Sequence, residues 1–185
     1  GVEYVQSRRY IPGDPVRAID WRVTARTGKP HIKEYEAPKR MPCWLLIDTS
    51  ASMVVGSGAK TKYAQALHIA GGLAYACLDR VSPVGVLGIG ERGFRVEPSL
   101  SRQQILEWLL RLRRYRYDES TALGRRANEL AARLDSRALV IVLSDLHTDD
   151  GVQALKHLGQ RHDVVVVHLR DPAERTLREI GRAHV

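Results

Sequence analysis

The sequence is short of several things at once. Its 185 residues include two cysteines, two methionines and one phenylalanine, and aromatic residues make up 6% of the chain. There is no CxxC pair and no Cys/His spacing of the kind that holds zinc. Cys43 and Cys77, each in apolar surroundings, therefore read as two free core thiols, suited to a reducing compartment such as the cytoplasm. No apolar run approaches the ~20 residues that a spanning helix needs, so this stretch is not expected to cross a membrane. A membrane anchor of the full-length protein would come from segments outside it. No signal-peptide pattern opens the chain. It begins at Gly1 and stops at His184-Val185, and is expected to be a piece of a longer protein.

Acids are the scarcer charge. Lys and Arg number 29 against 21 Asp and Glu, a net charge of +8, with a pI near 9.8. Such a balance admits nucleic acid, an anionic membrane face or an acidic protein as partner. The cations recur from Arg8 to Arg182, interleaved with acids, which favours a solvated surface over a nucleic-acid track. Hydrophobic residues at 44% and charged residues at 27% are ordinary globular values, enough for a sizeable core.

Two regions differ in pattern. Residues 1–40 are polar, extended and rich in turn signals, with Pro12-Gly13-Asp14-Pro15 and Thr27-Gly28-Lys29-Pro30. Segments 19–26 and 31–36 flank the second turn and predict a β-hairpin. So little apolar surface predicts that this β-rich extension packs on the core that follows. From Met41 to Val185 short apolar runs alternate with amphipathic stretches. Strands are predicted at 43–48, 84–89, 94–96, 138–143 and 164–169, the first, fourth and fifth of them buried. Helices are predicted at 61–79, after an N-cap at Ser101, at 122–134 and at 151–161. The expected fold is α/β, a mostly parallel sheet of Rossmann type with helices on both faces.

Several chemical motifs fail on context. Gly88-Ile89-Gly90-Glu91-Arg92-Gly93 spells G-x-G-x-x-G, but a strand and Pro98 follow where a dinucleotide site needs a helix, so a hairpin turn is expected. Gly56-Ser57-Gly58-Ala59-Lys60-Thr61 resembles a P-loop but carries Ala59 and Val54 where that loop needs glycine. The run Arg111–Tyr117 interleaves arginine with tyrosine, yet reads more simply as a helix end and surface loop. His147 beside Asp145, Asp149 and Asp150 reads as a surface feature rather than a ligand cluster.

Asp48-Thr49-Ser50-Ala51-Ser52 is different, because it stands where a buried strand runs out. A carboxylate and two hydroxyls at alternate positions can turn three oxygens towards one point, as a hard cation such as Mg²⁺ requires. Ser50 and Ser52 would ligate directly and Asp48 through water. Thr121 and Asp145 would add oxygens from other loops at the carboxyl edge of the sheet, where open α/β folds bind ligands.

Asp48-Thr49-Ser50-Ala51-Ser52-Met53, Thr121 and Asp145 resemble the metal-ion-dependent adhesion site of von Willebrand factor A (VWA) domains. Arg9-Tyr10-Ile11-Pro12-Gly13-Asp14, Arg17-Ala18-Ile19-Asp20-Trp21 and Ala25-Arg26-Thr27-Gly28 resemble the signature of a bacterial family called domain of unknown function fifty-eight, which runs directly into a VWA-like domain. The resemblance implies a VWA-like fold and a non-enzymatic module dependent on Mg²⁺ (or Mn²⁺). Its metal would leave a position for an acidic side chain of a partner protein. It further implies work beside a MoxR-type AAA+ ATPase in assembly or chaperone-like tasks. The chain departs from the family pattern at Asp118-Glu119-Ser120, where Glu119 could enter the open metal position. It departs again at Val81-Ser82-Pro83, where relatives more often have Gly-Asp; that change is expected to be harmless.

Two other functions stay open in the residues. One is a metal-assisted phosphohydrolase or degenerate NTPase using Asp48, Asp145 and Lys60. The other is a basic nucleic-acid-binding domain, which the interleaved charge disfavours. The N-terminal Arg8, Arg9, Arg17, Arg22 and Arg26, with Asp14, Asp20 and Trp21, form either a structural clasp or a surface for a partner or an anionic ligand. Dense mixed charge favours the clasp.

Overall fold

The computed structural model describes residues 3–36, 40–56, 58–147 and 151–173. Contacts divide the chain into two compact units, Gly1–Arg40 and Met41–Val185.

The first unit contains strand β1 (Glu3–Arg9), a 3₁₀ turn (Val16–Ala18), helix α1 (Trp21–Thr27) and strand β2 (His31–Glu36). β1 and β2 pair antiparallel, from Arg9 opposite His31 to Tyr4 opposite Tyr35. The hairpin expected between segments 19–26 and 31–36 is therefore replaced: the partner of β2 is β1, and most of the first segment is helical. The cause is local. The Asp20 side chain caps the helix by accepting from the N–H groups of Arg22 and Val23, and Gly28 closes it at φ +71° with its N–H on the Thr24 carbonyl. A good N-cap and a glycine just past the end outweigh the β preference of Ile19, Trp21 and Val23. Arg8 grips both oxygens of Asp14, at 2.9 Å each, and also bonds Glu34. This ties β1, the turn after it and β2 together.

The second unit holds β3 (Cys43–Ile47), α2 (Lys62–Asp79), β4 (Val84–Gly88), β5 (Arg95–Ser99), α3 (Arg102–Arg113), α4 (Leu123–Arg133), β6 (Leu139–Ser144), α5 (Gly151–Leu158) and β7 (Asp163–His168). The sheet order is β5-β4-β3-β6-β7. Its pairs are parallel except β4–β5. The period of two in β3 divides the core. Cys43, Leu45 and Ile47 pack with residues of α2 and α3 on one face, while Trp44 and Leu46 pack with α4 and α5 on the other. Both faces of the central strand are thus covered, which is why it reads as an unbroken apolar run.

Three expectations shift in detail. β5 runs on through Pro98, which an edge strand tolerates. β7 is not buried on both faces; among the described residues β6 is its one neighbour and it forms an edge, with Val165 and Val166 exposed. α5 ends at Leu158 rather than near Arg161. Ser101 caps α3 as expected, accepting from the Gln104 N–H. Among the described residues, no helix is long and apolar enough to cross a membrane.

Candidate functional site

From β3 the chain adds β4 and β5 on one side, then returns to place β6 and β7 on the other. β3 and β6 therefore meet at the point where the winding reverses, the crevice where open α/β sheets bind ligands. Asp48 follows the end of β3 and Asp145 the end of β6, two neighbouring strands at one sheet edge. Ladder bonds fix Asp48 and the residue before Asp145, since the Asp48 N–H donates to Leu143 O and the Leu169 N–H to Ser144 O, each at 2.9 Å.

The D-x-S-x-S loop turns on itself as its spacing suggests. Asp48 Oδ1 accepts from the Ser50 N–H at 2.9 Å, and the Ser50 and Ser52 hydroxyls lie 3.1 Å apart. Asp48 Oδ2 accepts from the Ser144 hydroxyl at 2.5 Å. Asp48, Ser50 and Ser144 are buried. Thr121 lies opposite Gly90 in an isolated bridge, its hydroxyl making a long 3.5 Å contact to Ile89 O. Its loop reaches the motif through the backbone, where the Ala51 N–H donates to Glu119 O at 3.0 Å. Asp48, Ser50 and Ser52 are thus gathered directly. Thr121 and Asp145 stand on adjoining loops and make no direct hydrogen bond to them among the described residues.

Asp145 has a partner that spacing did not announce. Lys62 Nζ lies 3.1 Å from Asp145 Oδ2, with both side chains almost wholly buried. His147 Nε2 approaches the same oxygen at 3.4 Å from a half-exposed position. Among the described residues, Asp145 Oδ1 is buried without a hydrogen-bond partner. Lys60, the lysine of the phosphohydrolase reading, is exposed. Lys62 was legible in one respect: it lies four residues before Ala66 and eight before Ala70, on the buried stripe of α2. Ser144 was visible as the last residue of β6.

Glu119 is buried, and its carboxylate takes the Thr49 hydroxyl together with the backbone N–H and Nε of Arg92, the last two at 3.0 Å. The side chain is thus engaged with Thr49 and Arg92. Burial pushes this carboxyl upward, but the Thr49 and Arg92 donors outweigh it and hold the group below the usual glutamate range. Gly90 makes room for the arrangement, since a Cβ there would overlap the Glu119 carboxylate and Thr49 Oγ1.

The glycine-rich turn and the arginine-rich run take the form expected of them. The glycines from 88 to 93 form the turn between antiparallel β4 and β5. Thr61 is the N-cap of α2. Tyr115 lies under Arg92 and against Phe94, and Tyr117 packs on Tyr63 at 4.7 Å, so the aromatic residues of the arginine-rich run turn inward. Asp149 and Asp150 lie outside the described residues. Among the described residues no three His, Cys, Asp or Glu side chains gather to hold a metal. An ion at the sheet edge would rely on hydroxyl oxygens.

A doubly wound sheet with an antiparallel edge strand, and a D-x-S-x-S loop at its switch point, define a VWA-like α/β protein. The family described as "Protein of unknown function DUF58" matches residues 6–185, and the chain belongs to it. The chain is 28% identical to uncharacterized protein Rv1480 of Mycobacterium tuberculosis and, equally, to Mb1516 of Mycobacterium bovis. Each match takes in 98% of this chain and 59% of the relative, so the chain spans about three fifths of the length of these curated relatives. Among solved structures, the manganese-loaded TRAP protein of Plasmodium vivax aligns at TM-score 0.53 and 18% identity, covering 74% of this chain and 60% of that one. An aerotolerance-related membrane protein of Bacteroides fragilis aligns at 0.51 and 18%, covering 70% and 68%. At such identity these two speak for the fold alone.

Proposed function

We propose that this chain is a Mg²⁺-dependent (or Mn²⁺-dependent) protein-interaction module of adhesion type, in which the ion presents an open position to an acidic side chain of a partner. The observation that carries the reading is Asp145 Oδ1, a buried carboxylate oxygen without a hydrogen-bond partner among the described residues, at the same sheet edge as two hydroxyls 3.1 Å apart. Buried polar atoms rarely go unsatisfied, and each such atom calls for an explanation. The hydroxyl spacing also suits an octahedral ion, whose neighbouring ligands at ~2.0–2.1 Å are about 2.9 Å from one another. Ser50, Ser52 and Thr121 would offer hydroxyls to the ion, and Asp145 its free oxygen. Asp48 has a protein donor on each oxygen, so it suits a role through water, for which each oxygen retains a lone pair.

Charge supports the same reading. Asp48 and Asp145 with the Lys62 ammonium leave the site at about −1, and a divalent cation would turn it to about +1. That residual charge would draw an external carboxylate. The family resemblance supplies the partner class, a MoxR-type AAA+ ATPase in assembly or chaperone-like work. The free cysteines, Cys43 and Cys77, support a cytoplasmic setting, and an anchor to the membrane would come from segments outside this chain.

The test is calorimetric titration of Mg²⁺ and Mn²⁺ into EDTA-stripped protein, wild type against Asp48→Ala and Asp145→Asn. Saturable binding in the wild type, lost in both variants, is the expected result. Absence of binding in the wild type removes the metal from the proposal.

A further inference from the structure

The arginines of the first unit divide into two groups. Arg8 is held by Asp14 and Glu34 and does the work of a clasp. Arg22, Arg26 and Lys33 have no ion pair within 4 Å and no side-chain hydrogen bond among the described residues, and Lys33 acts on Asp20 through its charge alone. These three cations line one cavity of about 570 Å³, within the ~300–1,000 Å³ range of small-molecule sites.

The elements explain the convergence. Arg22 and Arg26 are one turn apart on α1 and share a face, while Lys33 and Tyr35 share a face of β2. Tyr4 stands opposite Tyr35 across the ladder, and the two rings meet edge to face with centroids 6.1 Å apart. Both tyrosines line the cavity and remain more than half exposed. Asp20, the acid of the lining, is already occupied: it takes the Ser7 hydroxyl and caps α1. The Ser7 hydroxyl, chiefly, and the capping N–H groups hold it below the usual aspartate range, so it stays ionised. The cavity carries three cations and one committed carboxylate, a surplus of about +2. A phosphomonoester brings ≈ −1.5 to −2 at neutral pH, a closer match than a monocarboxylate.

We propose that this cavity, between α1 and the Lys33–Tyr35 face of the β1–β2 ribbon, binds a phosphorylated ligand bearing a flat ring, of the mononucleotide class. The phosphate lies among Arg22, Arg26 and Lys33, where guanidinium forks suit phosphate oxygens, and the ring lies on Tyr4 and Tyr35, since an aromatic side chain accepts any base face. This is a second site, separate in its residues from the metal loop and independent of Mg²⁺.

The experiment is calorimetric titration of AMP into the 185-residue chain in EDTA. Adenosine, inorganic phosphate and ribose 5-phosphate serve as comparators, and vesicles with and without phosphatidylglycerol form a separate arm. The expected result is saturable AMP binding at least tenfold tighter than any soluble comparator, weakened at least tenfold in Arg26→Ala/Lys33→Ala. Both of those side chains are exposed and make no hydrogen bond or close ion pair among the described residues, so the variant should melt close to the wild type. Tyr35→Ala should weaken AMP while leaving inorganic phosphate unchanged. Equal binding of AMP and ribose 5-phosphate overturns the ring assignment. Binding to anionic vesicles without AMP binding, no binding at all, or AMP binding untouched by the double variant overturns the site.

Discussion

The ammonium of Lys62 and the carboxylate of Asp145 form a buried ion pair, 3.1 Å apart, with side-chain exposures of 4% and 2%. Removing Lys62 leaves the Asp145 carboxylate without its buried cation, beside the half-exposed His147. Lys62→Met should therefore destabilise the second unit by roughly 3–5 kcal/mol. Under the metal reading, Mg²⁺ should restore part of that loss, since the ion supplies the missing positive charge. Thermal melts with EDTA and with Mg²⁺ check both points, and the Mg²⁺-induced rise should be larger in the variant than in the wild type.

Gly90 and Gly72 should respond oppositely to alanine. A Cβ at Gly90 overlaps the Glu119 carboxylate and displaces it from Thr49, whereas at Gly72 it meets nothing within 4 Å. Gly72 lies within α2, where alanine gains about 0.5–1 kcal/mol over glycine. Gly90→Ala should lose about 1–3 kcal/mol, the range for overfilling a tight site. Chemical denaturation of the two variants gives the comparison.

Val81 carries a backbone cost at the end of α2. The Val81 N–H donates to Leu78 O and the Ser82 N–H to Cys77 O, the paired bonds of a Schellman closure with Val81 as its left-handed residue at φ 59°. A β-branched residue is strained there, so the exchange expected from the sequence to be harmless is not free of cost. Val81 is also 54% exposed, so little packing is lost on truncation. Val81→Gly should raise stability by about 1 kcal/mol, read from the denaturation midpoint.

His162 should make stability fall on mild acidification. Burial first, and then Arg161, pushes this histidine below its ordinary value of 6.5, with Asp163 opposing; its Nδ1 accepts the Ala138 N–H at 3.1 Å. The folded state thus favours the neutral ring. The contribution is fully present above about pH 6.5 and is lost as pH falls from there through the lower folded value, because the unfolded chain takes up its proton first. Melts from pH 7.5 to 5 should show a decline in the wild type that is shallower in His162→Asn.

Much of the sheet was legible because burial on both faces leaves a plain mark. β3 and the Leu139–Leu143 stretch of β6 are unbroken apolar runs, and each strand is followed directly by the aspartate it delivers to the switch point. α1 was missed because Ile19, Trp21 and Val23 look like strand residues, while the cap at Asp20 and the stop at Gly28, seven residues of helix apart, carried the real instruction. Lys62 escaped for another reason. A lysine in a first helical turn is usually solvated, and the apolar stripe it shares with Ala66 and Ala70 identifies its side chain as buried only once α2 is laid against β3 and β6. The Glu119–Thr49–Arg92 contact joins residues 49, 92 and 119, a separation that no local pattern encodes.

Pro98 in β5 has a consequence for the company the protein keeps. A proline removes one amide donor from the strand, and Arg95 and Glu97 put exposed charges of both signs along it. An incoming chain seeking a ladder of free donors and acceptors would find β5 a poor template. This border of the sheet is thereby guarded against amyloid-like zippering and against capture of a foreign strand.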